Sequence, residues 1–223
     1  ALDHYGHGRS DGGRCCLKSL DDVVQDMRQF CDVVEDSLPG IPQVLLGHSM
    51  GGLIACLLLL QQQDRFAGCA LSGPAIMTDL MPPRWQLFLV RLLSNLLPNL
   101  GLIQLDASGV SRDPAEVQHY VDDPLNHTGK MSARLVAEMF RGMETVQARA
   151  GQIKLPLLIM HGGQDSMTAP AGSEFLHQHV GSASNKLTIY PDAYHEIFNE
   201  PEREQVFAEI EDWLDPLVPI AQL

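Results

Sequence analysis

The run Val44-Leu45-Leu46-Gly47-His48-Ser49-Met50-Gly51-Gly52 decides how this chain reads. An apolar strand leads into a tight turn with a serine at its apex, and a helix starts behind it. The spacing G-x-S-x-G leaves room for a sharp strand-to-helix turn with little side-chain crowding. Such a turn lifts the Ser49 hydroxyl off the end of a sheet. It also sets the Met50 backbone N–H at a helix N-terminus, where it can stabilise a developing oxyanion. Glycine and serine are common, so the spacing alone is a weak signal. A strand before it and a helix after it make it a nucleophile site rather than a merely structural turn.

Outward from this run, strand and helix alternate. Residues 1–12 read as a strand end entering a Gly-rich loop. Ser19 caps a helix reaching about residue 38, with Leu20, Val23, Val24, Met27, Phe30, Cys31 and Val34 on one face. Asp21 and Asp22 fall in its first turn, where the helix dipole favours acids. Residues 43–46 form the strand before the turn, and a helix follows it from 51 to about 62. Further apolar strands are expected at 66–71, 157–160 and 186–190. Helices are expected at about 132–153, 171–179 and 202–214. From 75 to about 129 strand signals are few. The pattern predicts an open α/β sheet of parallel strands, with a first core part at 1–74, a helical cap at 75–129 and a second core part at 130–223.

In such sheets the chemistry gathers at the C-terminal ends of the strands. Ser49 lies just past one strand, Asp165 just past the strand at 157–160, and His195 just past the strand at 186–190. Serine is a poor nucleophile near neutral pH. It needs a histidine to take its proton, and the histidine needs an acid to fix its tautomer and stabilise the imidazolium. The expected catalytic residues are therefore Ser49, Asp165 and His195, with Met50 in the oxyanion hole. Asp165 could instead cap the helix near residue 169, and Asp192 is the other acid nearby, though too close in sequence to His195 to orient its ring easily. Among rival histidines, His48 packs beside the serine, and His161 ends a strand and packs in the loop carrying Asp165. His177 and His179 fall on different faces of one helix and make no obvious metal site. His119 and His127 lie in the cap as surface or pocket-wall residues. His4-Tyr5-Gly6-His7-Gly8 lacks the partners of a metal or phosphate loop and reads as structural, with Asp3 and Arg9 in ionic or backbone contacts.

The formal net charge of −13 over 223 residues repels nucleic acid, and no basic stripe breaks it. The five cysteines, two of them adjacent, form no disulfide framework and no cysteine zinc site. They point to a reducing compartment. The apolar stretch 85–98 is too short for a membrane span, carries Arg91 and Asn95, and ends at Pro98. It is either a core helix or a lid that shows apolar surface to lipid.

Several motifs add up to a family. They are Asp3-x-x-Gly6-His7-Gly8-x-Ser10-x-Gly12, Gly47-His48-Ser49-Met50-Gly51-Gly52, Leu97-Pro98-Asn99-Leu100 with Ser111-Arg112-Asp113, His161-Gly162-Gly163-x-Asp165, and Tyr190-x-x-x-Tyr194-His195-Glu196-x-x-x-Glu200. Through them the chain resembles the monoacylglycerol lipase and lysophospholipase branch of the serine α/β hydrolases, over nearly its whole length. The resemblance implies an α/β-hydrolase fold and an ester hydrolase acting on a single-chain lipid ester, with monoacylglycerol the first expectation. It implies no cofactor and no metal, and a cap whose apolar helix contacts membranes, so that a cytoplasmic enzyme could meet a membrane peripherally. Leu87, Leu92, Leu96 and Leu97 are expected to wall the acyl site. It further implies that core strands and the loop giving the second oxyanion N–H precede residue 1, so the intact protein rather than 1–223 alone would be active. A lysophospholipase, a general esterase, an acyltransferase, or a non-catalytic lipid-binding or interaction relative are the alternatives. An acid at the nucleophile position would mark a dehalogenase or epoxide hydrolase; Ser49 argues against both.

Overall fold

The strands of this computed structural model are β1 (Gln43–His48), β2 (Phe66–Ser72), β3 (Gly101–Ile103), β4 (Met131–Ser132), β5 (Leu157–Gly162) and β6 (Asn185–Tyr190). The helices are α1 (Leu20–Ser37), α2 (Met50–Gln62), α3 (Arg84–Leu96), α4 (Pro114–Asp122), α5 (Ala133–Arg149), α6 (Pro170–His179) and α7 (Arg203–Leu214). The structure describes residues 1–78, 80 and 82–218, so the end of the expected second core part, 219–223, lies outside them.

β1, β2, β5 and β6 lie side by side in that order, all parallel. Register aligns their ends: His48 pairs Ser72, Ser72 pairs Met160, and Gly162 pairs Tyr190. The residues following each strand therefore emerge along one edge of the sheet. Alternation along a strand sends successive side chains to opposite faces. Cys69 and Leu71 of β2, with Leu157 and Ile159 of β5, join the large core under α1, α2 and α5. Ala70, Leu158 and Met160 face the other way, against Val206, Ile210 and Trp213 at α7. Burial on both faces is why these strands read as unbroken apolar runs.

α1 starts where its cap predicts. The Ser19 hydroxyl accepts the Asp22 N–H at 3.0 Å, a contact worth about 1 kcal/mol. The helix buries Leu20, Val23, Val24 and Cys31. Residues 1–4 form no strand; Asp3 instead organises a loop, accepting the Arg9 N–H on its carboxylate at 2.8 Å and the Ser10 hydroxyl on its carbonyl at 2.7 Å. The expected helix at 132–153 ends earlier, at Arg149, and tightens into a 3-10 turn over Ala150–Gln152.

Between β2 and α5 lie α3, α4 and the short strand β3, which pairs antiparallel with β4. That pairing ties the insertion to the start of α5, past residue 129. α3 packs on α5 through Leu87 and Val90, and an Arg91–Glu144 ion pair at 2.8 Å joins the two helices. None of the described helices is long and apolar enough to cross a membrane.

Candidate active site

Ser49 is the pivot between β1 and α2. Its backbone sits at φ 53° and ψ −120°, a conformation that costs a non-glycine residue about 1–3 kcal/mol. Neighbours over-determine it: the Ser49 N–H donates to the Ser72 carbonyl at 3.0 Å, and the Ser49 carbonyl accepts from Gly52 and Ala75, each at 3.0 Å. A Cβ on Gly47 would come within 2.7 Å of the Gly51 carbonyl oxygen, and one on Gly52 within 2.7 Å of Pro74. Gly51 itself has open space around it, so the tight packing on the helix side falls one residue beyond the G-x-S-x-G spacing. Met50 opens α2, and its N–H is one that a helix start leaves without an intrahelical acceptor.

Asp165 and His195 meet beyond the same sheet edge. The loops carrying them are joined by the Gln164 N–H, which donates to the Ala193 carbonyl at 2.9 Å. Five donors converge on the Asp165 carboxylate. Oδ2 faces His195 Nδ1 at 2.7 Å, the Thr168 hydroxyl at 2.8 Å and His161 Nε2 at 3.1 Å. Oδ1 accepts the N–H groups of Met167 at 2.8 Å and Thr168 at 3.0 Å. Burial by itself would push this carboxyl up, but the hydrogen bonds from His161 and His195 outweigh it and hold the group well below the usual carboxylate range. Ala169, not Asp165, is the N-cap of α6. Asp192 is exposed.

His195 is buried, and its ring lies 4.7 Å from that of His48, the residue before Ser49. Its Nδ1 faces Asp165 and Thr168, and no hydrogen bond joins its ring to Ser49. Contacts of that kind often tighten only once substrate is bound. The loop beyond His195 is strapped to the insertion. His195 and Glu196 donate their N–H groups to the carbonyls of Gly109 at 3.3 Å and Val110 at 2.8 Å. The Ser111 hydroxyl donates to the Asn199 carbonyl at 2.9 Å, and Arg112 grips the buried Glu200 through its backbone N–H at 2.8 Å and its Nε at 2.5 Å.

A cavity of about 440 Å³ opens over Ser49 and Met50. One wall is α5, through Leu135, Met139 and Met143 at helical spacing, with Phe140 beside them; Ile103 and Leu105 of the insertion face it. Leu87, Leu92, Leu96 and Leu97, expected as acyl-site walls, are not among the residues lining it. Leu87 is packed on the core, and the other three are exposed. α3 carries two apolar stripes, and the sequence does not say which one faces in. The structure turns Trp85, Phe88, Leu89, Leu92 and Leu96 outward, with Trp85 63% and Phe88 65% exposed.

Residues 1–202 match the family model described as Hydrolase_4, serine aminopeptidase, S33. The chain belongs to this family. It is a serine hydrolase with the α/β-hydrolase fold. It is 36% identical over 214 residues to the monoacylglycerol lipase of Mycolicibacterium smegmatis, covering 96% of this chain and 76% of that one. It is 32% identical over 217 residues to the human monoglyceride lipase, covering 96% of this chain and 72% of the relative. The crystal structure of the Paleococcus ferrophilus monoacylglycerol lipase superimposes with a TM-score of 0.87 at 31% identity, over 97% of this chain and 82% of that one.

In this serine hydrolase the elbow histidine has a measurable signature. His48 Nδ1 lies 3.1 Å from the Ser72 hydroxyl, and burial together with the neighbouring His195 pushes its pKa down to about 3. The unfolded chain protonates this residue near pH 6.5 while the folded chain does not until about pH 3. Between those values the unfolded state binds more protons, so stability falls as pH falls, by at most about 1.4 kcal/mol per pH unit. His48→Gln, which keeps a partner for Ser72 but cannot titrate, is expected to flatten that slope in urea melts between pH 7 and 4. An unchanged slope would show that another group carries it.

Two sets of residues at this site of the serine hydrolase escape sequence reasoning. Leu135, Met139 and Met143 recur every four residues, as any core-facing helix stripe does. His161 looks like a packing residue at a strand end, and only its contact with Asp165 in space marks it out.

Proposed function

We propose that this enzyme cleaves single-chain lipid esters, monoacylglycerol foremost, through an acyl-enzyme on Ser49. The observation that carries the reading is the apolar cavity that opens over the elbow serine. His195 takes the Ser49 proton as the oxygen attacks the ester carbonyl, and the Met50 N–H holds the oxyanion. The C–O bond to glycerol breaks, and the alcohol leaves with the proton from His195. Water then gives a proton to His195 as its oxygen attacks the acyl carbon; the bond to Ser49 breaks, His195 returns the proton to the Ser49 oxygen, and the fatty acid leaves, while Asp165 stays ionised. The names of the Mycolicibacterium, human and Paleococcus relatives support the substrate class.

The family description names an aminopeptidase, which would need a free carboxylate for the substrate's amine. Among the residues lining the cavity the carboxylate is that of Asp3, already engaged by the Arg9 N–H. Cavity methionines at 131, 139, 143 and 167 can repack around chains of different shape. Residues 75–129 form the cap in this reading, between the core parts 1–74 and 130–223. Its outward stripe on α3 would rest on a membrane surface, and the five free cysteines support a reducing, cytoplasmic compartment.

A hydrolysis panel on the intact protein tests this: monoacylglycerols of graded length, lysophospholipids, short soluble esters and amino-acid anilides. Long-chain monoacylglycerol is expected to give the highest kcat/KM; anilide turnover above ester turnover would overturn the reading. The double change Trp85→Glu, Phe88→Glu is expected to cut hydrolysis of vesicle-borne monoacylglycerol about tenfold while sparing a short soluble ester. Equal loss on both would remove the membrane contact.

A further inference from the structure

We propose that His161 is a positioning residue for the reaction: as a neutral imidazole it donates one N–H to the Asp165 carboxylate, and so sets how much of that carboxylate's charge reaches His195. The inference rests on the assignment of Asp165 and His195 made above.

His161 belongs to β5, the strand whose end carries Asp165, and its side chain is fully buried. Its two ring nitrogens have different partners. Nε2 lies 3.1 Å from Asp165 Oδ2 and 3.3 Å from both the carbonyl and the hydroxyl oxygen of Thr168, so its N–H is shared between these acceptors; Nδ1 lies 2.7 Å from the hydroxyl of Ser173, itself buried on α6. A carboxylate can only accept, so Nε2 carries the hydrogen. Nδ1 is then bare and accepts the Ser173 proton. Were both nitrogens protonated, Ser173 would have to accept, and its own proton would have no acceptor among its hydrogen bonds in the structure. The buried hydroxyl thus fixes the tautomer that serves Asp165.

The consequence follows from where the two imidazoles meet. His161 Nε2 and His195 Nδ1 both lie within hydrogen-bond distance of Oδ2. A donor on that oxygen draws off part of the negative charge that would otherwise stabilise the His195 imidazolium. It also holds the carboxyl plane in place against rotation. The titratable groups facing one another in this cluster are Asp165, His161, His195 and His48. Without the His161 N–H, more of the Asp165 charge falls on His195.

The test is the pH profile of kcat/KM on a short soluble ester, measured on the intact protein with His161→Phe, His161→Leu and His161→Gln, and with Asp165→Asn as control. His161→Phe removes the donor. Its acid limb is expected to move upward by about half a pH unit or more, and its kcat to fall several-fold with KM little changed. His161→Gln can donate an amide N–H to the same oxygen and is expected to return the limb toward wild type. The downfield proton resonance of the His195–Asp165 hydrogen bond should move in the phenylalanine variant and return in the glutamine one. Should His161→Phe not fold, His161→Leu, smaller and equally without a donor, carries the test and is expected to shift the limb the same way. A wild-type limb in the folded phenylalanine or leucine variant overturns the inference, as does a glutamine variant no closer to wild type than phenylalanine. If Asp165→Asn keeps wild-type kcat, the assignment of the acid falls and this inference with it. If that control loses activity while the His161 variants keep the wild-type limb, only this inference falls.

Discussion

Ser49→Ala is expected to lower kcat on ester substrates by about 10⁵- to 10⁶-fold and to abolish covalent labelling by a fluorophosphonate probe. The effect should be nearly pure chemistry. Ser49 owes its φ of 53° to its neighbours, through backbone bonds to Ser72, Gly52 and Ala75. An alanine keeps all of these and bears the same backbone strain, so the turn and the Met50 N–H stay in place. What disappears is the hydroxyl proposed to form the acyl bond. Residual turnover would come from binding and the oxyanion donor alone. Labelling of the intact protein before and after the change, with circular dichroism to confirm folding, decides the matter. A variant that still labels would place the nucleophile elsewhere.

Asp165→Asn should cost about 10⁴-fold in kcat, for a reason specific to the five donors around this side chain. An amide must place an NH₂ where one carboxylate oxygen stood. On the Oδ1 side it would meet the N–H groups of Met167 and Thr168, which cannot change direction. On the Oδ2 side it meets the Thr168 hydroxyl, which can turn to the Gly73 carbonyl, and the His195 ring, which can exchange its tautomer, while the His161 N–H keeps the Thr168 carbonyl. The NH₂ therefore turns toward His195, whose Nδ1 must then accept. Its proton moves to Nε2, and the ring can no longer serve as base for Ser49. Nitrogen-15 NMR of the histidines should report the tautomer reversal, and single-turnover kinetics the loss of acylation. The native tautomer with full activity would remove Asp165 from the mechanism.

Much of this was open to a reader of the residues alone. The elbow announces itself because its glycines, its serine and its flanking apolar runs are local, and the ends of the strands at 157–162 and 185–190 carry Asp165 and His195 for the same reason. What resisted was relation across the chain. α3 holds enough leucine for two apolar faces, and which one turns toward the core is decided by its packing on α5, which the order of residues does not reveal. Met139 and Met143 face the cavity and Met27 the core with the same helical periodicity, so periodicity cannot separate a substrate wall from packing. His161 needed the fold of its own loop to bring Asp165 back to within 3.1 Å of its ring.

The strap between Gly109–Arg112 and the loop from His195 to Glu200 has a bearing on how such enzymes can be recombined. The insertion supplies part of the cavity wall, yet four of its residues hold the loop that bears the histidine. A chimera exchanging everything from 75 to 129 would carry off that support along with the wall. A seam placed before Gly109 leaves the support with its host and lets the cavity change alone. The natural unit of exchange is therefore shorter than the inserted segment, and its boundary is written in backbone pairing, where chain order shows no break.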